Sequence, residues 1–198
     1  MKIRKGCIKR KTSETNITME INLDGSGKSK IKTTINFLGH MLNLFTKHGL
    51  FDLKLKCVGD IEVDLHHTNE DIGICLGQAI KKALSDKAGI KRFGFASLPM
   101  DEALIEVSLD LSGRPYLKVT GHKPQVTGQG KEYGLNHMKQ FLQALASNAG
   151  ITLHVEIIYG EDLHHIIEAV FKAFGRALKE AVTIDPRVKG ILSTKGIL

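Results

Sequence analysis

One short motif occurs twice in this chain, as His66-His67-Thr68-Asn69-Glu70 and again as His164-His165-Ile166-Ile167-Glu168. Imidazole and carboxylate side chains ligate divalent metals. Each copy runs into apolar residues at helical spacing: Ile72, Cys75, Leu76, Ala79, Ile80, Ala83 and Leu84 after the first, Val170, Phe171, Phe174, Ala177, Leu178 and Ala181 after the second. Both motifs are therefore predicted to lie on amphipathic helices. On a helix the first histidine and the glutamate stand at i and i+4, on one face, where both reach one ion. The second histidine projects about 100° away, so adjacent histidines suit two ions better than one. The economical arrangement is reciprocal: His66 and Glu70 hold one ion with His165, and His164 and Glu168 hold another with His67. A single copy would more often be a solvated helix face. Recurrence of the motif argues for a two-metal site instead.

The rest of the chain must supply a frame for these helices. Its 198 residues, 42% of them hydrophobic, suffice for one ordinary domain or two small ones with a proper core. No apolar run approaches the ~18 residues of a membrane span. The start, Met1-Lys2-Ile3-Arg4-Lys5, lacks the apolar stretch of a secretory signal, so a cytoplasmic protein is expected. Cys7, Cys57 and Cys75 cannot all pair and have no metal-ligand spacing, which suits a reducing compartment; Cys75 falls on the apolar side of its helix. A net charge of +7 favours anionic partners. The absence of Trp and the dispersed basic residues argue against nucleic acid.

Short alternating strands are expected at 7–10, 16–23 and 30–35, with Asp24-Gly25-Ser26-Gly27 as a hairpin turn between the last two. Glu14 is the one carboxylate of the polar segment 10–15, by default a surface group. A helix follows over 37–48, placing His40 and His48 on one face, and Gly49 closes it. Strands at 51–58 and 61–65 lead into the first motif. The second half reads similarly: Arg92 opens a new run, a strand covers 100–110, Ser112-Gly113-Arg114-Pro115 turns, and 116–120 is its hairpin partner. An exposed loop at 121–134, a helix at 135–147 and a strand at 151–159 precede the second motif. Gly49 to Gly59 matches Gly150 to Gly160, the mark of an internal repeat. The expected fold is α+β, an internally duplicated half, each a mostly antiparallel sheet with helices packed on one face. The first repeat spans 1–91 and the second 92–184. Residues 185–198 form a tail that either frays or grips a phosphate through Ser193-Thr194-Lys195-Gly196.

Several segments together resemble the imidazoleglycerol-phosphate dehydratase family of histidine biosynthesis: RKTSET (10–15), FLGHML (37–42), GDIEVDLHHTNED (59–71), PMDEAL (99–104), SLDLSGRPY (108–116), TLH (152–154), HHIIEAVFKA (164–173) and STKG (193–196). They keep the family's order across essentially the whole chain. The resemblance implies a cytoplasmic enzyme with two Mn(II) ions per subunit that removes water from imidazole glycerol phosphate to give imidazole acetol phosphate. It also implies a homo-oligomer of 24 subunits with metal sites completed between chains. The ligands it implies are His66, Glu70 and His165 for one ion and His40, His67, His164 and Glu168 for the other. Glu14 becomes the acid/base residue. Arg92, Arg114, Lys172, Ser193, Thr194 and Lys195 match phosphate-binding positions, and His48 would contact substrate.

Residue by residue, some of these have plainer readings. Arg114 could be a turn arginine facing solvent, and His48 a helix-end histidine interacting with the dipole. Asp101 and Glu102 read as structural support. Two positions depart from the family: Gln140 stands where a histidine is usual in many members, leaving Gln140 itself, His137 one turn earlier or a water to complete that metal site, and Gly39 replaces an aspartate beside His40. Beside the dehydratase stand two other readings, a two-metal phosphate-ester hydrolase and a basic nucleic-acid-binding module.

Overall fold

A computed structural model of the chain describes residues 4–122 and 132–197. Its first half comprises β1 (Lys5–Lys11), β2 (Thr15–Asn22), β3 (Ser29–Lys32), α1 (Asn36–Gly49), β4 (Asp52–Gly59) and α2 (His66–Leu84). The second repeats that order as β5 (Phe93–Met100), β6 (Ala103–Asp110), β7 (Tyr116–Gly121), α3 (Leu135–Ala149), β8 (Thr152–Tyr159) and α4 (Leu163–Val182). The sheets run β1-β2-β4-β3 and β5-β6-β8-β7. In each, two pairings are antiparallel and the last, β3 with β4 or β7 with β8, is parallel. The expected duplicated α+β fold is thus the observed one. Much of the loop expected at 121–134 lies outside the described residues.

The repeat keeps register. β4 and β8 begin and end 100 residues apart, and Asn22 faces Asp52 as Asp110 faces Thr152. Position 140 on α3 is therefore the counterpart of position 40 on α1. β2 and β6 end 88 residues apart, so position 102 is the counterpart of position 14.

Both expected hairpins at glycine-rich turns are absent. β4 occupies the edge of β2 over eight register pairs, which forces β3 to the far side of β4. The 24–27 turn instead folds onto the start of β4: Ser26 and Lys28 donate backbone N–H bonds to the Asp52 carboxylate, and Gly27 donates to the Phe51 carbonyl. The 112–115 turn behaves likewise, with Gly113 donating to Gly150 and Tyr116 to Ile151, so β7 joins β8 rather than β6. The true hairpins are β1–β2 and β5–β6. The latter splits the strand expected at 100–110, because Asp101 turns the chain with φ +47°. No strand forms at 61–65; that segment is a turn with mostly exposed side chains, which delivers the chain from β4 to α2.

The helices form the interior layers. Alternate strand residues such as Ile17, Met19 and Ile21 face them and are fully buried, and one continuous apolar core joins both halves. α1 packs on α4 and α2 on α3, pairing helices of opposite halves. Close crossing requires glycine. A Cβ at Gly175 would lie 2.6 Å from the Phe45 carbonyl oxygen, and one at Gly73 would lie 2.6 Å from that of Phe141. Beside the first crossing, Phe45 stacks on Phe174 at 5.2 Å. Burial pushes the Cys57 and Cys75 thiols up to about 11 and about 12, so both act as packing groups. Among the described residues no helix is long and apolar enough to cross a membrane.

Candidate metal centre and phosphate cavity

The crossing of α1 over α4 brings three expected ligands together. His40 Nε2 lies 3.5 Å and His164 Nε2 3.2 Å from Glu168 Oε2. The three ligand atoms all lie within 4.8 Å of one another, and this is the one such group found among the described residues. The Asp162 carboxylate caps α4 by accepting from the His164 and His165 backbone N–H groups, which fixes the first turn. Phe37 meets the His164 ring edge-on at 5.2 Å. Glu168 is only 7% exposed. Burial alone would raise its pKa, but Lys172 at 2.6 Å from Oε1, with His164 and His40, holds the carboxyl below its ordinary value. Gly39 lines a cavity of about 420 Å³ beside His40, and a Cβ there would meet the Thr33 methyl at 3.0 Å.

On α2, His66 Nε2 lies 3.3 Å from Glu70 Oε2. The pair lines a cavity of about 500 Å³ with Leu117, Val119, Gln140 and Ala144. His137 does not line it: its Nδ1 accepts from the Gly134 N–H, its carbonyl accepts from Asn69, and desolvation lowers its pKa.

Both second histidines point away from these pairs, as helix geometry requires. His67 Nδ1 stands 3.7 Å from Glu14 and 3.6 Å from Asp60. Desolvation works against its protonation, but Glu14, Asp60 and Asp64 outweigh it and raise its pKa. His165 Nδ1 lies 2.6 Å from Glu102, the main cause of its own raised pKa. Glu102 also accepts from the Glu161 and Asp162 backbone N–H groups; with the Asp162 bond foremost, its carboxyl drops to about 2. Asp101 is 3.6 Å from the same ring. The structural role expected of Asp101 and Glu102 fits these bonds. Glu14 sits on the β1–β2 turn, whose form is set by Thr12 Oγ1 accepting from the Glu14 and Thr15 N–H groups. Arg10 and Thr15 tie the turn to Asp71 on α2.

A second cavity, of about 1150 Å³, gathers Arg92, Arg114, Ser193, Thr194 and Lys195, together with Arg187. Arg92 grips Asp110 with two guanidinium nitrogens at 2.7 and 3.0 Å and donates a third bond to the Leu192 carbonyl. The Arg114 side chain is 73% exposed and reaches Asp110 at 3.9 Å. The tail is anchored rather than frayed, with Gly89 donating to the Gly190 carbonyl. Lys172 stands apart from this group, against Glu168. His48 lies exposed at the end of α1; desolvation, then Lys172 and Arg176, lower its pKa. Sequence reasoning overlooked Asp60 and Asp110. Asp110 was the more findable, standing four residues before Arg114 in the quoted turn segment.

The two sites are far apart within one chain. Arg92 is bonded to Ala181 near the end of α4, whereas His164 opens that helix. Seventeen residues at 1.5 Å each put roughly 25 Å between them.

A doubled sheet-and-helix frame with paired His-His-x-x-Glu helices and an arginine-lined cavity defines a class of small enzymes built from a duplicated α+β half. The family model for imidazoleglycerol-phosphate dehydratase matches residues 33–178. The chain is 57% identical to the imidazoleglycerol-phosphate dehydratase of Acetivibrio thermocellus over 195 residues, covering 98% of this chain and 99% of that one. It is 50% identical to that of Geobacter metallireducens over 195 residues, with the same coverage of 98% and 99%. The crystal structure of the Staphylococcus aureus dehydratase superposes with a TM-score of 0.80 at 37% identity, covering 91% of this chain and 99% of that one. That of the Pyrococcus furiosus protein gives 0.81 at 37%, covering 96% and 100%. The chain belongs to the imidazoleglycerol-phosphate dehydratase family, a family of carbon–oxygen hydro-lyases.

Proposed function

We propose that this protein dehydrates imidazole glycerol phosphate to imidazole acetol phosphate in histidine biosynthesis, as a cytoplasmic homo-oligomer of 24 subunits using two Mn(II) ions per subunit. The observation that carries the metal reading is the convergence of His40, His164 and Glu168. Neighbouring ligands about 2.1–2.2 Å from a cation stand about 3 Å apart, and the spacings of 3.2 and 3.5 Å in this cluster fit that. Two imidazoles and a carboxylate suit Mn(II), although Zn(II) or Ni(II) would bind more tightly. When bound, the ions would act as Lewis acids on the imidazole ring of the substrate, favouring its deprotonated form and so easing departure of hydroxide from the ring-bound carbon.

The remaining work falls to the chain's own residues. Glu14 takes the carbon-bound proton while hydroxide leaves the neighbouring carbon, and the enol so formed tautomerises to the ketone. Its place on an exposed turn beside His67 supports that role. Arg92, oriented by Asp110, and Arg114 hold the phosphate with Ser193, Thr194 and Lys195; a planar guanidinium suits phosphate oxygens. Lys172, which the family resemblance puts with the phosphate, acts here by fixing the Glu168 carboxylate, and His48 flanks it on the substrate side.

A substrate of this size cannot span the roughly 25 Å between cavity and metal cluster. Each active site therefore combines groups from more than one subunit, and the partner subunit's His67 and the partner subunit's His165 complete the two ligand sets. The test is incubation of metal-stripped protein with imidazole glycerol phosphate, with and without Mn(II), read by mass spectrometry. The expected outcome is manganese-dependent loss of one water with phosphate retained. Release of inorganic phosphate would replace the proposal with a hydrolase.

A further inference from the structure

We infer that Gln140, through its side-chain carbonyl oxygen, is a ligand of the second divalent cation, so that the two ions of each subunit are chemically unlike. This rests on the two-ion reading above and goes beyond it in assigning a residue and a consequence. The internal register makes Gln140 the counterpart of His40, since β4 and β8 lie 100 residues apart. The motifs on α2 and α4 correspond in the same way, His66 with His164 and Glu70 with Glu168. His40 reaches Glu168 because α1 crosses α4, and α3 crosses α2 in the same manner. Gln140 accordingly lines the cavity that His66 and Glu70 line.

An independent observation points to a ligand there. Gln140 Oε1 is buried without a hydrogen-bond partner among the described residues. A buried carbonyl oxygen left unpaired is costly and uncommon, and a cation held by the neighbouring His66 and Glu70 would satisfy it. His137, the other candidate, already uses Nδ1 to accept from Gly134.

The donor sets then differ. The α1–α4 cluster offers two imidazole nitrogens and one carboxylate, whereas the α2–α3 set offers one imidazole, one carboxylate and a neutral amide oxygen. Oxygen-rich sites favour hard ions such as Mn(II) and Mg(II) and hold borderline ions such as Zn(II) with less advantage. The second ion is thus bound more weakly, and its site discriminates less sharply in favour of Zn(II).

The experiment is titration of the metal-stripped, full-length assembly with Mn(II), reading free ion by electron paramagnetic resonance, for wild type, Gln140→Ala and Gln140→His. Wild type is expected to bind two ions per chain in two affinity classes. Gln140→Ala should weaken the weaker class by about ten-fold to a hundred-fold and leave the stronger class intact, which also certifies the fold. Gln140→His should tighten the weaker class and raise its preference for Zn(II) over Mn(II). Unchanged affinities in Gln140→Ala would overturn the assignment. Binding of one ion per chain by wild type would also overturn it while leaving the α1–α4 centre standing; no binding at all would remove the metal reading itself. Should Gln140→Ala fail to assemble, Gln140→Glu decides: the added charge must tighten the weaker class, and unchanged affinity would refute the role.

Discussion

The two halves of the chain share a frame and differ in how firmly they hold equivalent groups. Glu168 is nearly buried and is met by His40, His164 and Lys172. The Glu70 side chain is 48% exposed, meets His66 at 3.3 Å, and has Ile74 where its counterpart has lysine. The turns differ in the opposite sense. Glu102 is clamped by two backbone N–H groups and His165, whereas its counterpart Glu14 meets only the His67 ring, at 3.7 Å, among the described residues. Duplication therefore fixed where carboxylates sit, and the local donors decide which of them is held by hydrogen bonds. The free one is Glu14; the clamped one is a fastening.

Removing Glu168 is the most severe way to break this comparison. Glu168→Ala should eliminate the stronger Mn(II) class and reduce kcat to below about a thousandth of wild type. It also leaves Lys172, 17% exposed, without its carboxylate, so a lower thermal midpoint in the metal-stripped protein is expected. Glu70→Ala should spare both the stronger class and the midpoint of the metal-stripped protein. Equal losses in the two variants would erase the distinction between the halves.

The turns give the next largest effect. Glu14→Gln should lower kcat by about 10²- to 10⁴-fold with Mn(II) binding unchanged, while Glu102→Gln should cost far less turnover and instead loosen the His165 contact. The pH dependence follows from the shifts. The raised pKa of His165 contributes stability that is complete below about 6.5 and disappears as pH rises through its folded value. The depressed carboxyl of Glu102 contributes above about 4.5 and its share disappears as pH falls through about 2. The pair therefore stabilises most between about pH 4.5 and 6.5. Thermal midpoints of metal-stripped wild type and Glu102→Gln should differ most in that window and by less above it, where Glu102 keeps its backbone N–H bonds but faces a neutral His165. A gap that widens towards alkaline pH would show that the contact does not depend on a protonated His165.

Much of this was legible from residue order alone. Helical spacing located all four helices, and the repeated motif exposed the duplication and the His–Glu pairs. Strand pairing was not legible, because a turn's residues report only local geometry. The 24–27 and 112–115 turns have hairpin chemistry, yet their backbone donors and acceptors are spent on β4 and β8, a choice made by long-range pairing of β2 and β6. The apolar alternation of Ala103, Ile105, Val107 and Leu109 likewise drew attention from the β5–β6 turn, although Asp101, a carboxylate on the apolar side of that alternation, marks it. The family resemblance found Arg92 and Arg114 but passed over Asp110 between them: its spacing of four residues from Arg114 was visible, whereas its bidentate bond to Arg92 joins residues eighteen apart and leaves no local pattern.

The smallest effects come from the helix crossings, and they separate the two centres without touching a ligand. Gly175→Ala would drive a methyl against the Phe45 carbonyl and lift α4 from α1, whereas Gly73→Ala would do the same to α2 and α3 at Phe141. Overpacking of this kind costs about 1–3 kcal/mol, and the better helix propensity of alanine returns up to about 1 kcal/mol. For a domain of this size a net loss of that order lowers the thermal midpoint by a few degrees, roughly 2–4 °C per kcal/mol. The two variants should be alike in stability and unlike in metal binding. Gly175→Ala moves Glu168 away from His40 and should weaken the stronger Mn(II) class, while Gly73→Ala moves His66 and Glu70 away from Gln140 and should weaken the other. Parallel weakening of both classes in either variant would mean that the ions respond to the assembly as a whole, and the correspondence between crossing and centre would fail.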